Sequence, residues 1–315
     1  MRKKVLVTGG AGFIGSHTIE GLLSTGHYSV RVLDNFSTGH RENIRHLMGN
    51  IELVEGDIRD METVEEAVAD MDSIIHLAAL PSVPRSVKAP LTSNDVNASG
   101  TLKVLSAAHR AGVKRLILAS SSSIYGANMA QPKTEDMLPA PVSPYAASKL
   151  AAEQYVGVFA RTYKMNTLSI RYFNVFGPRQ DPNSQYSGVV AKFMTSALAG
   201  EPCTIFGDGT QSRDFTYVGN VVSANIAALE ATGLHGQPVN VACGERHTVI
   251  ELLDTITAAL GSPVQVIRAP GRTADVLHSL ADCTLAAEVL GYRPTVAFAE
   301  GVRQTLEWYK TTYTG

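Results

Sequence analysis

Short aliphatic runs alternate with amphipathic stretches through most of the first 175 residues of the chain. The runs are "KVLVTG", "SVRVLD", "IELVEG", "SIIHLA", "RLILAS" and "TLSIRYF". Between them lie helix-like segments, among them Phe13 to Ser24, Met61 to Ala69, Val96 to Ala111 and Pro144 to Tyr163. Continuous apolar strands alternating with helices predict βαβ units and a doubly wound parallel sheet, an α/β fold. After Gly177 the pattern loosens: "GPRQDPNSQYSG" reads as a loop, and shorter elements follow. These predict a second, smaller region in the C-terminal part. In an open α/β sheet, ligands sit at the carboxyl ends of the strands. One such end is unusual. "RLILAS" runs into four consecutive hydroxyls, Ser120 to Ser123, then Tyr125 and Gly126. Buried hydroxyls are costly unless hydrogen-bonded, so the run calls for partners.

Composition narrows the field. With 44% hydrophobic and 18% charged residues, the 315-residue chain has the make-up of an ordinary globular protein. A net charge of −2 and the absence of a basic patch argue against a nucleic-acid partner. The "MRKK" start is followed by only Val5 to Val7 before glycines begin, too short for a signal peptide. No run approaches membrane-spanning length. Cys203, Cys243 and Cys283 are far apart and odd in number, which suggests thiols in a reducing cytoplasm rather than disulfides or a zinc site. None of the nine histidines forms a metal-binding cluster, and His76, on an apolar strand, reads as packing. No metal is expected.

"VLVTGGAGFIGSH" follows the first strand and opens a helix. Gly9 allows a tight turn, Gly12 lets the backbone approach a pyrophosphate, and Gly15 lets the helix pack on the sheet. The helix N-terminus then offers N–H groups to the anion. A glycine-rich turn without a ligand has the same spacing. The second strand, however, ends in Asp34, where a carboxylate accepts from a ribose 2′-OH and repels a 2′-phosphate. The context is that of a Rossmann fold binding NAD rather than NADP. "SPYAASK" sets Tyr145 and Lys149 four apart at a helix start, with Ser143 as N-cap and Pro144 as the first helical residue. Taken alone, this spacing is most often a surface pair. The chemical alternative is a general base: a nearby ammonium and the positive end of the helix dipole both favour tyrosinate over a phenol of pKa about 10.

"TGGAGFIG", "HLAA", "SSSSIYG", "YAASK" and "RYFNVFGPRQ" occur in this order and, with "GDGTQSRDFTYV", cover nearly the whole chain. In them the sequence resembles the extended short-chain dehydrogenase/reductases, and within these the nucleotide-sugar 4-epimerases. It is most similar to the UDP-N-acetylglucosamine group, whose "AALGSVPRS" is close to "AALPSVPRS" here. The resemblance implies an NAD-binding domain over residues 1–175, with the segment around 214–243 packing with it, and a mainly UDP-sugar-binding region over 176–315. It implies that tightly held NAD takes hydride from sugar C4 and returns it to the other face of a 4-keto intermediate.

Residue by residue, the resemblance makes Tyr145 the base. Lys149 becomes the residue that holds the nicotinamide ribose and lowers the tyrosine pKa, and Ser121 the hydroxyl relaying the 4-OH proton. The implied cofactor contacts are Gly9, Gly12, Phe13, Ile14, Gly15, Asp34, Asn35, Ser37, Thr38 and Gly39. With them go Asp57 and Ile58 at the adenine, Leu77, Ala78 and Ala79 along the dinucleotide, and Asn97 and Tyr172. The implied substrate contacts are Ser82, Val83, Ser121, Ser122, Ser123, Tyr145, Asn174, Val189, Lys192, Thr204, Phe206, Arg213, Arg272, Asp275 and Ser279. Arg213 and Arg272 would meet the pyrophosphate, and Ser279 would lie beside the sugar C2 substituent.

Ser122 and Ser123 stand where the related 4,6-dehydratases carry an Asp–Glu pair, and neutral hydroxyls cannot supply the acid and base of elimination. Strand-end capping is their other reading. Ala274 and Leu277 replace a glycine and an arginine of the family pattern, and Pro81 replaces a glycine beside Ser82. Two readings remain beside the epimerase: another NAD-dependent UDP-sugar enzyme (dehydrogenase, decarboxylase or ketoreductase), or a non-catalytic NAD-binding sensor. The family is expected to be homodimeric, with stretches 94–111 and 145–163 as the interface.

Overall fold

The computed structural model describes residues 2–182, 188–271 and 277–313. Six strands form where the aliphatic runs lie: β1 (Lys3–Thr8), β2 (Tyr28–Asp34), β3 (Ile51–Glu55), β4 (Ser73–His76), β5 (Arg115–Ser121) and β6 (Asn166–Tyr172). A seventh, Pro238–Val241, pairs with β6 and closes one edge. From that edge the order is Pro238–Val241, β6, β5, β4, β1, β2, β3, with every pair parallel. The order reverses between β1 and β4, the switch point where ligands bind in doubly wound sheets.

Alternation along each strand feeds two cores. Val5 and Val7 of β1 join one layer while Leu6 joins the other, and Ile117 and Leu118 of β5 divide likewise. One face is covered by α1 (Phe13–Ser24) and the helix Val218–Glu230. The other carries α2 (Met61–Val68), α5 (Thr101–Arg110) and α6 (Pro144–Tyr163), with short helices α3 (Val83–Lys88) and α4 (Pro90–Asn94) preceding α5. A third core gathers helices Val189–Ala199, Val249–Leu260 and Phe298–Tyr313 around the strand Cys203–Phe206.

Two local details bear on the site. The helical stretch expected from Val96 begins instead as a wide π-type turn, Asp95–Gly100, before α5. Gly100 sits there against Ile58, which a Cβ would meet at 2.7 Å. α6 starts as its sequence implies: Ser143 Oγ accepts from Ala146 N at 3.1 Å, Pro144 opens the helix, and Lys164 closes it in a left-handed conformation. The buried Asp214 carboxylate ties the C-terminal segments together. It accepts from the backbone N–H groups of Cys243 (2.9 Å), Gly244 (3.0 Å) and Ala281 (3.2 Å), and burial pushes its pKa up to about 6. The three cysteines are free thiols.

Candidate active site

The carboxyl ends of the central strands open into one cavity of about 870 Å³. Every cofactor candidate lines it except Asn97: Gly9, Gly12, Phe13, Ile14, Gly15, Asp34, Asn35, Ser37, Thr38, Gly39, Asp57, Ile58, Leu77, Ala78, Ala79, Tyr145, Lys149 and Tyr172. Ser82 lines it too. Arg59, Arg85, Gln180 and Asp181 also face this space. The sequence reading missed these four, and only their closeness to chosen motifs hinted at them.

The glycines divide by role. A Cβ at Gly9 would stand 2.7 Å from Ala78 N, and one at Gly15 would stand 2.1 Å from the Gly9 carbonyl oxygen, so packing alone excludes both. A Cβ at Gly12 would meet only that carbonyl, at 3.1 Å. Gly12 is the N-cap of α1, no side chain caps it, and the first turn carries no acid. The α1 N-terminus therefore faces the cavity with its N–H groups available to an anion.

Asp34 accepts from Ala11 N and Phe36 N, each at 2.8 Å, one on each carboxylate oxygen. Burial raises its pKa against those bonds. A carboxylate offers about four acceptor positions, so two remain for ribose hydroxyls. Asp57 accepts from Asn35 Nδ2 at 2.8 Å, and the Arg59 guanidinium holds its pKa down at about 2.

His76 proves to be a link rather than packing alone. Ala78 N donates to Thr8 Oγ1 (3.2 Å), which bonds His76 Nδ1 (2.6 Å). His76 Nε2 bonds Thr101 Oγ1 (3.0 Å), which donates to the Asn97 carbonyl (2.6 Å). The donors at both ends set the direction: Thr8 donates to Nδ1 and His76 donates from Nε2. The ring is thus neutral, and burial drives its pKa down to about 3. Asn97 itself is buried behind the cavity wall. Its Oδ1 accepts from Leu80 N at 2.8 Å and its Nδ2 donates to Ser148 Oγ at 3.0 Å, so it orders the Leu77–Leu80 loop against α6.

The Ser121 hydroxyl lies close enough to the Tyr145 phenol to lower its pKa, and its Oγ accepts from Ser123 N at 3.2 Å. Lys149 Nζ donates to the Ala119 carbonyl at 2.8 Å, and burial lowers its pKa to about 8. The Tyr145 pKa is raised, not lowered: burial outweighs the Ser121 hydroxyl. This corrects the expectation that Lys149 and the helix dipole would dominate, because the ammonium makes its hydrogen bond to Ala119 instead. Tyr172 lines the cavity and donates its hydroxyl to Asn225 Oδ1 at 2.6 Å. The four serines separate: Ser120 bonds Glu153, Ser121 lies near the Tyr145 phenol, Ser122 is half-buried, and Ser123 Oγ is buried with no partner among the described residues.

The substrate candidates other than Ser82 and Tyr145 lie outside this cavity lining, but three are held by hydrogen bonds among the C-terminal segments. Asn174 Nδ2 donates to the Asp214 carbonyl (3.3 Å), Arg213 Nη1 to the Leu277 carbonyl (3.2 Å), and Ser279 N to the Ser212 carbonyl (3.1 Å). Val189 and the exposed Lys192 are on the helix Val189–Ala199, exposed Thr204 and half-buried Phe206 on the strand Cys203–Phe206, and Val83 is exposed at the start of α3. Arg272 and Asp275 lie outside the described residues. Among the described residues no group of His, Cys, Asp and Glu could hold a metal.

The model of the "NAD dependent epimerase/dehydratase family" matches residues 5–242. The UDP-glucose 4-epimerase of Mycolicibacterium smegmatis is 42% identical over 98% of both chains. The chain belongs to the NAD dependent epimerase/dehydratase family. Among solved structures, the UDP-N-acetylglucosamine 4-epimerase of Methanobrevibacter ruminantium superimposes with a TM-score of 0.94 at 39% identity, covering 99% of each chain. The Thermus thermophilus UDP-glucose 4-epimerase complex with NAD gives 0.87 at 40% identity, covering 98% of this chain and 99% of that one. The cofactor is NAD. The residues present fit it: an uncapped helix N-terminus for the pyrophosphate, Asp34 for ribose hydroxyls, and Lys149 and Tyr145 beside the Leu77–Ala79 loop.

Proposed function

We propose that the protein catalyses reversible C4 epimerisation of UDP-N-acetylglucosamine and UDP-N-acetylgalactosamine, and also of UDP-glucose and UDP-galactose. The observation that carries this reading is the placing of Tyr145 and Lys149 together on the wall of a dinucleotide cavity, with the Ser121 hydroxyl close enough to the phenol to lower its pKa. Bound NAD supplies the acceptor, and later the donor, of the C4 hydride. Tyr145 takes the 4-OH proton, directly or through Ser121, and returns it when the 4-keto sugar is reduced on its other face. Lys149, charged below its pKa of about 8, holds the nicotinamide ribose. Ser122 and Ser123 offer no acid–base pair, which speaks against dehydration. Residues 1–175 with the segment around 214–243 form the NAD-binding part in this reading, and 176–315 mainly the UDP-sugar part, with Asn174, Arg213 and Ser279 at the substrate.

The test offers UDP-N-acetylglucosamine and UDP-glucose separately, with no NAD added, and identifies the products. We expect the purified protein to carry NAD and to form the C4 epimer unaided, because one cofactor oxidises and then reduces the same bound sugar. Product formation only on addition and consumption of a nicotinamide cofactor would establish a net redox enzyme instead. Protein isolated empty, with activity tracking added NADP, would sink the Asp34 argument.

We also read the chain as a cytoplasmic homodimer. Its three free thiols suit a reducing compartment. Tyr155 and Val158 of α6 are 37% and 41% exposed, and Val87 and Leu91 of α3 and α4 are 63% and 85% exposed. Light scattering on the eluting protein should give twice the chain mass, and a monomer at micromolar concentration would refute the dimer.

A further inference from the structure

Behind the serine run lies a buried charge that the chemistry described so far does not use. Ser120 Oγ donates to Glu153 Oε2 at 2.8 Å. Glu153 is on α6, one turn beyond Lys149, and both are buried. Arg171, near the end of β6, grips the same carboxylate through two bonds, Nη2 to Oε1 at 2.6 Å and Nε to Oε2 at 3.1 Å. The two side chains are 3% and 4% exposed. Arg171 Nη1 donates to the Tyr125 hydroxyl at 2.8 Å, and that hydroxyl donates to Asn240 Oδ1 at 2.7 Å on the edge strand. One carboxylate and one guanidinium thus tie β5, β6, α6, the turn after β5 and the seventh strand.

Stability does not account for such a pair. Desolvating two charges offsets most of their attraction, and well-packed apolar residues of similar volume usually serve the fold as well or better. A planar fork on a carboxylate adds direction: it fixes distance and in-plane orientation in a way that apolar contacts do not. Ser120 adjoins Ser121 on β5, and Glu153 shares α6 with Tyr145 and Lys149. Any slip between this strand end and this helix therefore moves the Ser121 hydroxyl relative to the Tyr145 phenol.

We propose that Glu153 and Arg171, through Ser120, are positioning residues that set the end of β5 against α6 and so hold Ser121 in register with Tyr145. The proposal rests on the reading of Tyr145 as base and Ser121 as its hydroxyl partner. Misplacing a catalytic group by about 1 Å can cost about 10²-fold, so the effect should appear in turnover rather than in binding.

The experiment compares the NAD-loaded protein with Ser120→Ala and with the double variant Glu153→Leu/Arg171→Met. Single charge removals are avoided because an uncompensated buried charge threatens folding itself. In Ser120→Ala, kcat should fall about tenfold with KM for UDP-glucose and the content of bound NAD unchanged. The acid limb of the kcat–pH profile should also move to higher pH. The Ser121 hydroxyl lowers the Tyr145 pKa, so moving it away raises the pH at which the base ionises. The double variant should melt close to the parent yet turn over about 10²-fold more slowly. Normal kcat in Ser120→Ala, or a lowered kcat with an unmoved acid limb, overturns the proposal, as does a folded double variant of normal kcat. If the double variant does not fold, Ser120→Ala alone decides. Tyr145→Phe runs alongside. Turnover surviving in that variant would mean the base is misassigned, a failure distinct from that of the positioning pair.

Discussion

Replacing Tyr145 by phenylalanine should abolish epimerisation while the protein stays folded, loaded with NAD and able to bind UDP-sugar. The change removes one hydroxyl and keeps the ring, so the start of α6, capped by Ser143 and Pro144, has no reason to shift. On the proposed reading it removes the group that takes the 4-OH proton as hydride leaves C4. A positioned base contributes about 10²–10⁴-fold, and the group that does hydrogen-bond the Ser121 hydroxyl, the Ser123 backbone N–H, is a donor and no base. Lys149 is no substitute, because it is anchored on Ala119 and is largely protonated at neutral pH. We therefore expect kcat to fall by about 10³-fold or more, measured by coupled assay or by NMR of the product sugar. Ser121→Ala should cost about 10²-fold or more by removing the relay. Near-normal rates in either variant would show that the catalytic groups lie elsewhere. The pH profile gives a second check. Burial raises the Tyr145 pKa, so activity should climb as pH rises through that value, the base being competent only when ionised.

If the proposed substrate range holds, Ser279→Tyr should make the enzyme reject acetamido sugars. Ser279 is half-buried, and its backbone N–H is held by the Ser212 carbonyl at 3.1 Å, beside Arg213. The neighbouring His278 carbonyl accepts from Gln131 Nε2 at 2.9 Å, and Leu280 N donates to Gln131 Oε1 at 3.0 Å, so the segment has little freedom to swing away from an added ring. On the proposed reading, the serine leaves room for the C2 acetamide. A tyrosine would fill that room, and a clash discriminates without improving contacts to the smaller sugar. We expect kcat/KM for UDP-N-acetylglucosamine to drop by about 10²-fold, while that for UDP-glucose changes by less than about threefold. An unchanged ratio between the two sugars would remove the main reason for naming the acetamido substrate.

The six principal strands, the phosphate loop and the Tyr145–Lys149 pair were legible in the linear chain because each rests on near neighbours. Apolar runs declare strands, glycines at short spacing declare a turn, and Ser143–Pro144 declares a helix start. The seventh strand carries no such signal: Pro238–Val241 is four residues long, and its pairing partner Ser169–Tyr172 is remote in sequence. The acidity of Tyr145 was misjudged for the same kind of reason. Sequence displays the nearby lysine, but only the folded chain decides how far water is excluded and that the ammonium reaches Ala119. His76 looked like core because its strand is apolar, and the hydroxyls that make it a link come from Thr8 and Thr101. Glu153, Arg171 and Ser120 are separated by 18 and 33 residues and belong to no local pattern, yet they meet in one buried knot. Local periodicity determines which segments become strands and helices. Burial and the pairing of distant polar groups arise only when those segments pack, and these settle the protonation and register of the site.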